Sequence, residues 1–248
     1  MLYIRLQDAK TMILVLRPKR MWKYNTRVML GGIIERAVAG KKDCFDMLFQ
    51  FSVYTDSIIC FALGKVNQLF VMNLVVENSS YPTTNRTNFE LAWSGAGQSA
   101  ITASPMHMCM IASAIANNGV MMEPRLLQDV TSAGGVNRLK FTSAAYRTAL
   151  SADLAEELKG YMAAVVQSGT GKRAAVSGLT ICGKTGSAES SDNGRAVTHG
   201  WFIGFINDDA YPYAVAVLVE DIDDGDGGGT TAAPIAKDIF QYIKERME

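Results

Sequence analysis

The segment Ser177–Ser190, SGLTICGKTGSAES, decides the fold because it fits two sequence patterns that require different structures. Gly178, Gly183 and Lys184 match G-x-x-x-x-G-K-[ST], in which a flexible loop followed by a helix holds phosphate groups. The same lysine also begins the triplet Lys-Thr-Gly, which occurs on β-strands beside a substrate cleft. One lysine cannot serve both structures, so the residues around it must distinguish them.

The residues on either side of Lys184 argue against a phosphate loop. Such a loop needs flexible residues after its first glycine and a helix that begins at the lysine. Leu179–Cys182, LTIC, instead has the composition of a strand. The residues that follow Lys184, TGSAESSDNG, contain two glycines and show no helical periodicity. The segment is therefore predicted to be a strand, and a nucleotide hydrolase remains a remote alternative.

A Lys-Thr-Gly strand at a sheet edge has a chemical use for each residue. Lys184 supplies a cation where a substrate carboxylate docks, and the hydroxyls of Thr185 and Ser187 can donate hydrogen bonds to the same anion. Gly186 lets the substrate backbone approach closely. The backbone N–H of Ser187 is expected to point to where an oxyanion forms in acyl transfer.

Composition limits the classes of function. The 248 residues are 48% hydrophobic and 19% charged, which is typical of a globular chain with a sizeable core. The 24 basic and 24 acidic residues balance, which argues against a nucleic-acid partner. The two histidines, His107 and His199, are far apart in sequence, so neither a metal site nor a cofactor is expected. The four cysteines are predicted to be buried thiols.

From about Tyr81 onward, local signals agree on an element order. Ser104 and Pro105 predict the start of a buried helix that ends near Asn118 and Gly119, and Ala133–Gly135 predicts a hairpin turn. An amphipathic helix, three strands and a closing helix then follow. Ser151 is the predicted cap of the amphipathic helix, and Thr231 is that of the closing helix. The apolar residues that repeat at helical spacing in the amphipathic helix are Leu154, Leu158, Met162 and Val165. The three strands are GLTICGKTG, HGWFIGFIN and YPYAVAVLVEDI, and the polar loops SAESSDNGRAVT and DDA separate them. Short loops between consecutive strands predict an antiparallel sheet flanked by helices, an α+β fold.

Residues 1–80 show no comparable order. Their caps, turns and periodicity do not combine into a defensible series of elements, and they carry an excess of basic over acidic residues. The chain is thus divided into an unassigned segment, 1–80, read as non-native or misread, and a second part, 81–248. One role open to the first segment is to pair with an exposed edge of the sheet.

Four stretches together resemble the transpeptidase domain of penicillin-binding proteins. They are Ser168–Glu189 (SGTGKRAAVSGLTICGKTGSAE), His199–Phe205 (HGWFIGF), Gly227–Phe240 (GGGTTAAPIAKDIF) and Trp93–Leu127, which contains a Gly-Gln segment and a Ser-Pro helix start. The stretches occur in the family's order, so residues 81–248 are identified as the carboxy-terminal part of such a domain. The resemblance implies a penicillin-binding transpeptidase or β-lactamase-like fold that is incomplete in this chain.

The resemblance also implies a function. The family consists of bacterial, membrane-anchored, outward-facing D,D-transpeptidases that synthesise the cell wall by cross-linking peptidoglycan stem peptides through an acyl-serine and that are acylated by β-lactams. Stem peptides, β-lactams and cell-wall synthesis proteins are thus the expected partners, and Lys184, Thr185, Gly186 and Ser187 are the expected substrate-binding residues. The chain shows neither a bilayer-spanning apolar run nor a secretory signal, so this location follows from resemblance alone.

Two motifs of that family are missing from the sequence. No lysine is preceded by a serine three residues earlier, so the nucleophile of an S-x-x-K motif is not found. The S-x-N triplet Ser191–Asn193 follows Lys-Thr-Gly instead of preceding it, and it is interpreted as a turn. The chain is therefore expected to be inactive as given. Either its amino-terminal half is misread, or it is a non-catalytic module that binds peptidoglycan peptides or β-lactams.

Overall fold

The computed structural model describes residues 2–4, 11–16, 70–71, 74–75, 79–81, 84, 87–95, 100–124, 129–131, 137–140, 143–192 and 194–247. The strands are β1 (Leu2–Ile4), β2 (Thr11–Leu16), β3 (Phe70–Val71), β4 (Leu74–Val75), β5 (Val120–Met122), β6 (Asp129–Thr131), β7 (Asn137–Lys140), β8 (Ala145–Thr148), β9 (Ile181–Asp192), β10 (Arg195–Ile206) and β11 (Ala214–Val219). The helices are α1 (Asn88–Gly95), α2 (Pro105–Ala116), α3 (Ala152–Gln167) and α4 (Ala232–Met247), with a short 3-10 turn at Lys172–Ala174.

A five-stranded antiparallel sheet organises the fold, in the order β1-β2-β11-β10-β9. The predicted sequence of three antiparallel strands before a closing helix is confirmed by β9, β10 and β11. The sheet also includes two strands from the segment without sequence assignments, because Thr11–Leu16 pairs along the whole of β11, with Val15 opposite Val215. This pairing covers an edge of β11 that would otherwise present unpaired backbone groups.

Apolar side chains on both faces of the sheet create two cores. On one face, Trp201, Ile203 and Phe205 of β10 pack with the residues of α2 and α3. On the other face, Phe202 and Ile206 pack with α4. Side chains alternate between the faces of a strand, so β11, AVAVLV, is buried along its full length and reads as a continuous apolar run.

Helix α2 is the centre of the first core. The Ser104 side chain accepts a hydrogen bond from the His107 backbone N–H at 3.3 Å, and Pro105 occupies the first turn, as predicted. Every residue from Pro105 to Ile115 is buried. The helix ends through Asn118 and Gly119, both in the left-handed region, with φ of 51° and 87°. Because the helix has neighbours on all sides, nearly all of its surface is apolar, with His107 and Ser113 as the buried polar residues.

Three details differ from the sequence predictions. The buried face of α3 contains Ala155, Leu158, Met162 and Val166, whereas Leu154 in the first turn is 41% exposed. The polar stretch before His199, predicted as a loop, instead forms the paired ends of β9 and β10, because the partner strand satisfies its backbone groups. Thr231 precedes α4, but its hydroxyl donates to the carbonyl of Gly227 at 2.8 Å.

Other predictions concern hairpins and membrane crossing. β6 and β7 form the expected antiparallel pair, although the Ala133–Gly135 turn itself lies outside the described residues. Gly194 turns between β9 and β10 with φ of 83°, in agreement with the turn predicted there. Within the described ranges, no helix has both the length and the apolarity to cross a membrane.

Candidate functional site

The Lys-Thr-Gly triplet lies in the middle of β9, the outermost strand of the sheet. Lys184 is opposite Ile203, Gly186 is opposite Trp201, and Ser187 is opposite Gly200 on β10. Within the described part of the chain, β9 has a strand neighbour on one side only. Its outer edge is thus a place where an extended peptide can lie against the sheet. Because the strand continues through Lys184 to Asp192 without a helix, the phosphate-loop alternative is wrong.

Lys184 is a half-buried cation on this strand. It lies on the same face as Cys182 and Ala188, toward α2 and α3, and its Nζ donates a hydrogen bond to the carbonyl of Thr185 at 2.6 Å. Burial lowers the pKa of the Lys184 ammonium from its usual value. A carboxylate that docks beside the ammonium would replace lost solvation, so the position favours an anionic ligand.

Thr185 faces the opposite side and is only 8% exposed. Its Oγ1 is 2.6 Å from the Oγ1 of Thr170, which is itself exposed in the segment that follows α3. One hydroxyl of the pair donates to the other, and either can be the donor. The hydroxyl that accepts can still donate its own proton to a third group. Thr170, rather than the buried Thr185, is thus the exposed residue of the pair, and no sequence motif assigned it a role.

Three glycines, Gly227–Gly229, here called the glycine segment, pack directly on β9. A Cβ atom at Gly227 would lie 2.8 Å from the Ser187 Oγ, and one at Gly229 would lie 2.5 Å from the Thr170 carbonyl oxygen. A Cβ atom at Gly228 would collide with the backbone of Gly186 and Trp201. The absence of side chains is therefore what allows this segment to form a wall beside the triplet.

The ammonium group of Lys184 and the hydroxyl groups of Thr185 and Ser187 can reach one ligand only at the outer edge of β9. Alternation places Lys184 on one face of the strand and Thr185 and Ser187 on the other. Ser187 is exposed and Gly186 is half-buried, so the edge between the faces is open to a ligand. An anion held at that edge would be within the reach of groups from both faces.

Several other candidate residues lie away from this edge. Ser191, from the misplaced S-x-N triplet, is exposed near the end of β9. His107 lies in the buried helix α2, whereas His199 lies on β10, and no metal-binding group of three suitable side chains occurs among the described residues. Cys109 and Cys182 are buried free thiols, as predicted, while Cys44 and Cys60 lie outside the described residues.

Comparison with known proteins gives a consistent family. The family model of the penicillin binding protein transpeptidase domain matches residues 63–241, more than half of the chain, beginning upstream of Tyr81. The peptidoglycan D,D-transpeptidase PbpA of Mycolicibacterium smegmatis is 32% identical over 166 residues, which cover 66% of this chain and 33% of that protein. Penicillin-binding protein 3 of Bacillus subtilis is 28% identical over 61% of this chain and 22% of its own length. The chain thus spans about a third, or less, of these curated relatives.

Solved structures agree with the fold. A ceftriaxone acyl-enzyme complex of penicillin-binding protein A from M. tuberculosis matches with a TM-score of 0.68 and 28% identity, over 76% of this chain and 42% of that one. The D,D-transpeptidase domain of a peptidoglycan glycosyltransferase from Eggerthella lenta matches over 96% of this chain and 78% of that one, with a TM-score of 0.67. At 20% identity, the second likeness supports the architecture only.

Proposed function

This chain belongs to the penicillin-binding protein transpeptidase domain family, and we propose that it is the part of a peptidoglycan D,D-transpeptidase domain in which β9 recognises the substrate carboxylate. The chain is inactive as given in this proposal, because it has no S-x-x-K motif and no S-x-N motif ahead of Lys-Thr-Gly. The observation that carries the proposal is the position of Lys184 on an edge strand, half-buried, with the Thr185–Thr170 hydroxyl pair beside it. This arrangement suits an extended peptide that ends in a carboxylate. A stem peptide ending in D-alanyl-D-alanine has that chemistry.

Binding begins with the terminal carboxylate at the outer edge of β9. The Lys184 ammonium approaches it from one face, and the exposed hydroxyl of Thr170 approaches from the other, backed by Thr185. Charge-assisted hydrogen bonds of this kind are about twice as strong as neutral ones. The peptide backbone passes Gly186, where no side chain blocks it.

The chemical step of an intact domain of this family is transfer of an acyl group. A serine oxygen attacks the carbonyl carbon of the penultimate D-alanine, the terminal D-alanine leaves, and an amine of a neighbouring stem peptide then takes the acyl group from the serine. The backbone N–H of Ser187 is assigned to the oxyanion that develops on that carbonyl oxygen. A β-lactam ring would acylate the same serine and occupy the same carboxylate site.

The nucleophile for this step is not present in the sequence as a recognisable motif. No serine stands three residues before a lysine anywhere in the 248 residues. This observation favours a second candidate function, a non-catalytic module that holds a peptidoglycan peptide or a β-lactam in the same cleft. Both candidates use Lys184 in the same role, and they differ in whether the intact protein forms a covalent intermediate.

The location and partners of the protein follow from the family resemblance. We place it at the outer face of a bacterial membrane, where peptidoglycan is assembled, with stem peptides and β-lactams as ligands and other proteins of cell-wall synthesis as partners. The names of the relatives, which are peptidoglycan transpeptidases and penicillin-binding proteins, support this assignment. The balanced charge of the chain gives no reason to add nucleic acid to the partners.

The test is isothermal titration calorimetry, in which the protein is titrated with diacetyl-L-lysyl-D-alanyl-D-alanine or with the carboxamide of that peptide. The free acid should bind, and replacement of its carboxylate or the Lys184→Ala substitution should each weaken binding roughly 10- to 100-fold. Lys237→Ala removes an exposed lysine on α4 and is the matched control. Equal affinity for the acid and the amide, or equal loss in the two lysine variants, would contradict the assignment of the carboxylate to β9.

A further inference from the structure

The connection between β11 and α4 begins with an irregularity in the sheet. Val219 on β11 is paired with Gly200, and beyond it the Ile222 N–H donates to the Thr198 carbonyl at 2.8 Å. Two residues, Glu220 and Asp221, therefore lie opposite the single residue His199, which is the definition of a β-bulge. Asp221 has φ of 47°, a left-handed conformation that aspartate tolerates better than most residues.

The side chain of His199 satisfies the backbone group that this bulge displaces. An extra residue in a bulge is removed from the ladder, so its N–H needs another acceptor. The Asp221 N–H donates to the Nδ1 of His199 at 3.1 Å, and His199 is 6% exposed. A ring that accepts at Nδ1 carries its proton on Nε2. The Asp221 carboxylate in turn accepts a hydrogen bond from Arg195 at 2.6 Å.

The chain that leaves this bulge leads directly to the candidate site. Asp226 N–H closes a turn on the Asp223 carbonyl at 3.0 Å, and the glycine segment follows at once. Gly227 is in turn fixed by Thr230, whose Oγ1 accepts from the Gly227 N–H at 2.9 Å. Residues 222–226 thus connect the bulge to the glycine segment that meets Ser187 and Thr170.

We propose that His199 is a positioning residue for the carboxylate cleft. By accepting the Asp221 N–H it holds the bulge, and the bulge holds the glycine segment against β9. The part of this inference that concerns ligand affinity rests on the proposed function, whereas the part that concerns the bulge and the segment does not. His199 is not assigned a contact with the ligand, because its ring is only 6% exposed and its Nδ1 already accepts the Asp221 N–H.

Two substitutions separate the hydrogen bond from the packing. His199→Asn keeps an acceptor oxygen at the position of Nδ1, whereas His199→Leu fills similar space without one. Hydrogen exchange is then measured for backbone amides 222–231. We expect the leucine variant to exchange roughly tenfold faster there, and the asparagine variant to stay near the parent. Affinity for diacetyl-L-lysyl-D-alanyl-D-alanine should fall by a similar factor in the leucine variant only.

Further measurements provide controls. Asp221→Gly keeps the backbone N–H and the left-handed conformation but removes the partner of Arg195, so its exchange rate at 222–231 should equal that of the parent. In the parent protein, nitrogen NMR of the two histidines should show His199 as the Nε2–H tautomer, a measurement that remains decisive if the leucine variant does not fold. The Nδ1–H tautomer would refute the hydrogen bond.

The outcomes separate this inference from the proposed function. Unchanged exchange in the leucine variant, or equal acceleration in the leucine and asparagine variants, would overturn the positioning role. Faster exchange without loss of peptide affinity would overturn the link to the cleft. If the parent protein does not bind the peptide, the proposed function fails, but the exchange rates still decide whether His199 anchors the glycine segment.

Discussion

The hydroxyl pair of Thr170 and Thr185 is the residue-scale feature with the most direct consequence. Thr185 is nearly buried, and its hydroxyl relies on Thr170 at 2.6 Å. Thr170→Val removes that partner at nearly constant volume, so we expect a loss of about 1–3 kcal/mol in the free energy of unfolding and weaker binding of the D-alanyl peptide. Thr170→Ser retains the hydroxyl and is the control. Denaturant titration and calorimetry measure the two effects, and identical behaviour of valine and serine would exclude the hydroxyl as the cause.

His107 makes the stability of the protein depend on acidity. Burial, together with the positive charge of Arg147, lowers the pKa of His107 from 6.5 to about 4. The unfolded chain therefore binds a proton between these pH values that the folded chain does not, so stability falls as pH falls from 6.5 toward 4 and does not fall further from this cause below 4. The full loss is about 3 kcal/mol.

The acid dependence is checked with His107→Met, which fills the apolar site without a titratable group. Urea unfolding at several pH values should show a shallower fall between pH 6.5 and 4 in the methionine variant than in the parent. Carboxyl groups contribute equally to both curves, so they cancel in the difference. Parallel curves would mean that His107 titrates in the folded protein as it does in water.

Cys182 should be unreactive in the folded protein. Burial raises the pKa of its thiol to about 12, and the thiol donates to the Lys159 carbonyl at 3.3 Å. Only the thiolate attacks alkylating reagents, so iodoacetamide should modify Cys182 in denaturant and leave it unmodified in native buffer at pH 8. Peptide mass mapping gives the result, and rapid native labelling would show that β9 opens locally.

At the scale of elements, the sequence was informative wherever local and tertiary requirements coincide. Ser104 and Pro105 locate the start of α2 because a cap and a first-turn proline act within a few residues. The polar ends of β9 and β10 were predicted as a loop because their stability comes from pairing with each other, which serines and charged side chains do not reveal. The buried face of α3 was predicted correctly at Leu158 and Met162 but not at its two ends, since only the contact with β9 determines which side is buried there.

In the candidate site, too, features set by neighbouring residues were predictable and features set by tertiary contacts were not. The Lys-Thr-Gly triplet was recognisable because three adjacent residues form the motif. Thr170 and the glycine segment belong to the same site through contacts between positions far apart in sequence, so no local pattern could assign them. Their glycine-rich motifs were visible, but the reason for the glycines, close backbone contact with β9, required the structure.

The strand β2 should protect the protein from self-association. Deleting residues 1–16 removes the partner of β11 and leaves a long apolar strand at an open edge. We expect this variant to aggregate more than the intact chain, in which β2 pairs with β11 and β1 pairs with β2. Light scattering and size-exclusion chromatography compare the two proteins. A folded, monomeric protein after the deletion would show that β2 is dispensable for covering β11.

For the molecule as a whole, the family assignment and the sequence make opposite predictions about acylation. Relatives include an acyl-enzyme complex with ceftriaxone, but this sequence contains no S-x-x-K motif. We therefore expect that incubation with penicillin G produces no stable adduct. Intact-protein mass spectrometry should show the unmodified mass of the chain. A mass increase equal to one penicillin, mapped to a serine, would reveal a nucleophile outside the expected motif.

The position of β2 beside β11 also has a consequence for biosynthesis. Thr11–Leu16 is synthesised long before its partner Ala214–Val219. The TMILVL segment must therefore remain without this partner until β11 has been synthesised, and closing so long a loop slows folding. Until then it is a binding site for chaperones and a hazard for neighbouring nascent chains. Slower translation lengthens that interval, so the yield of native protein should improve with chaperone supply more than with a slower ribosome.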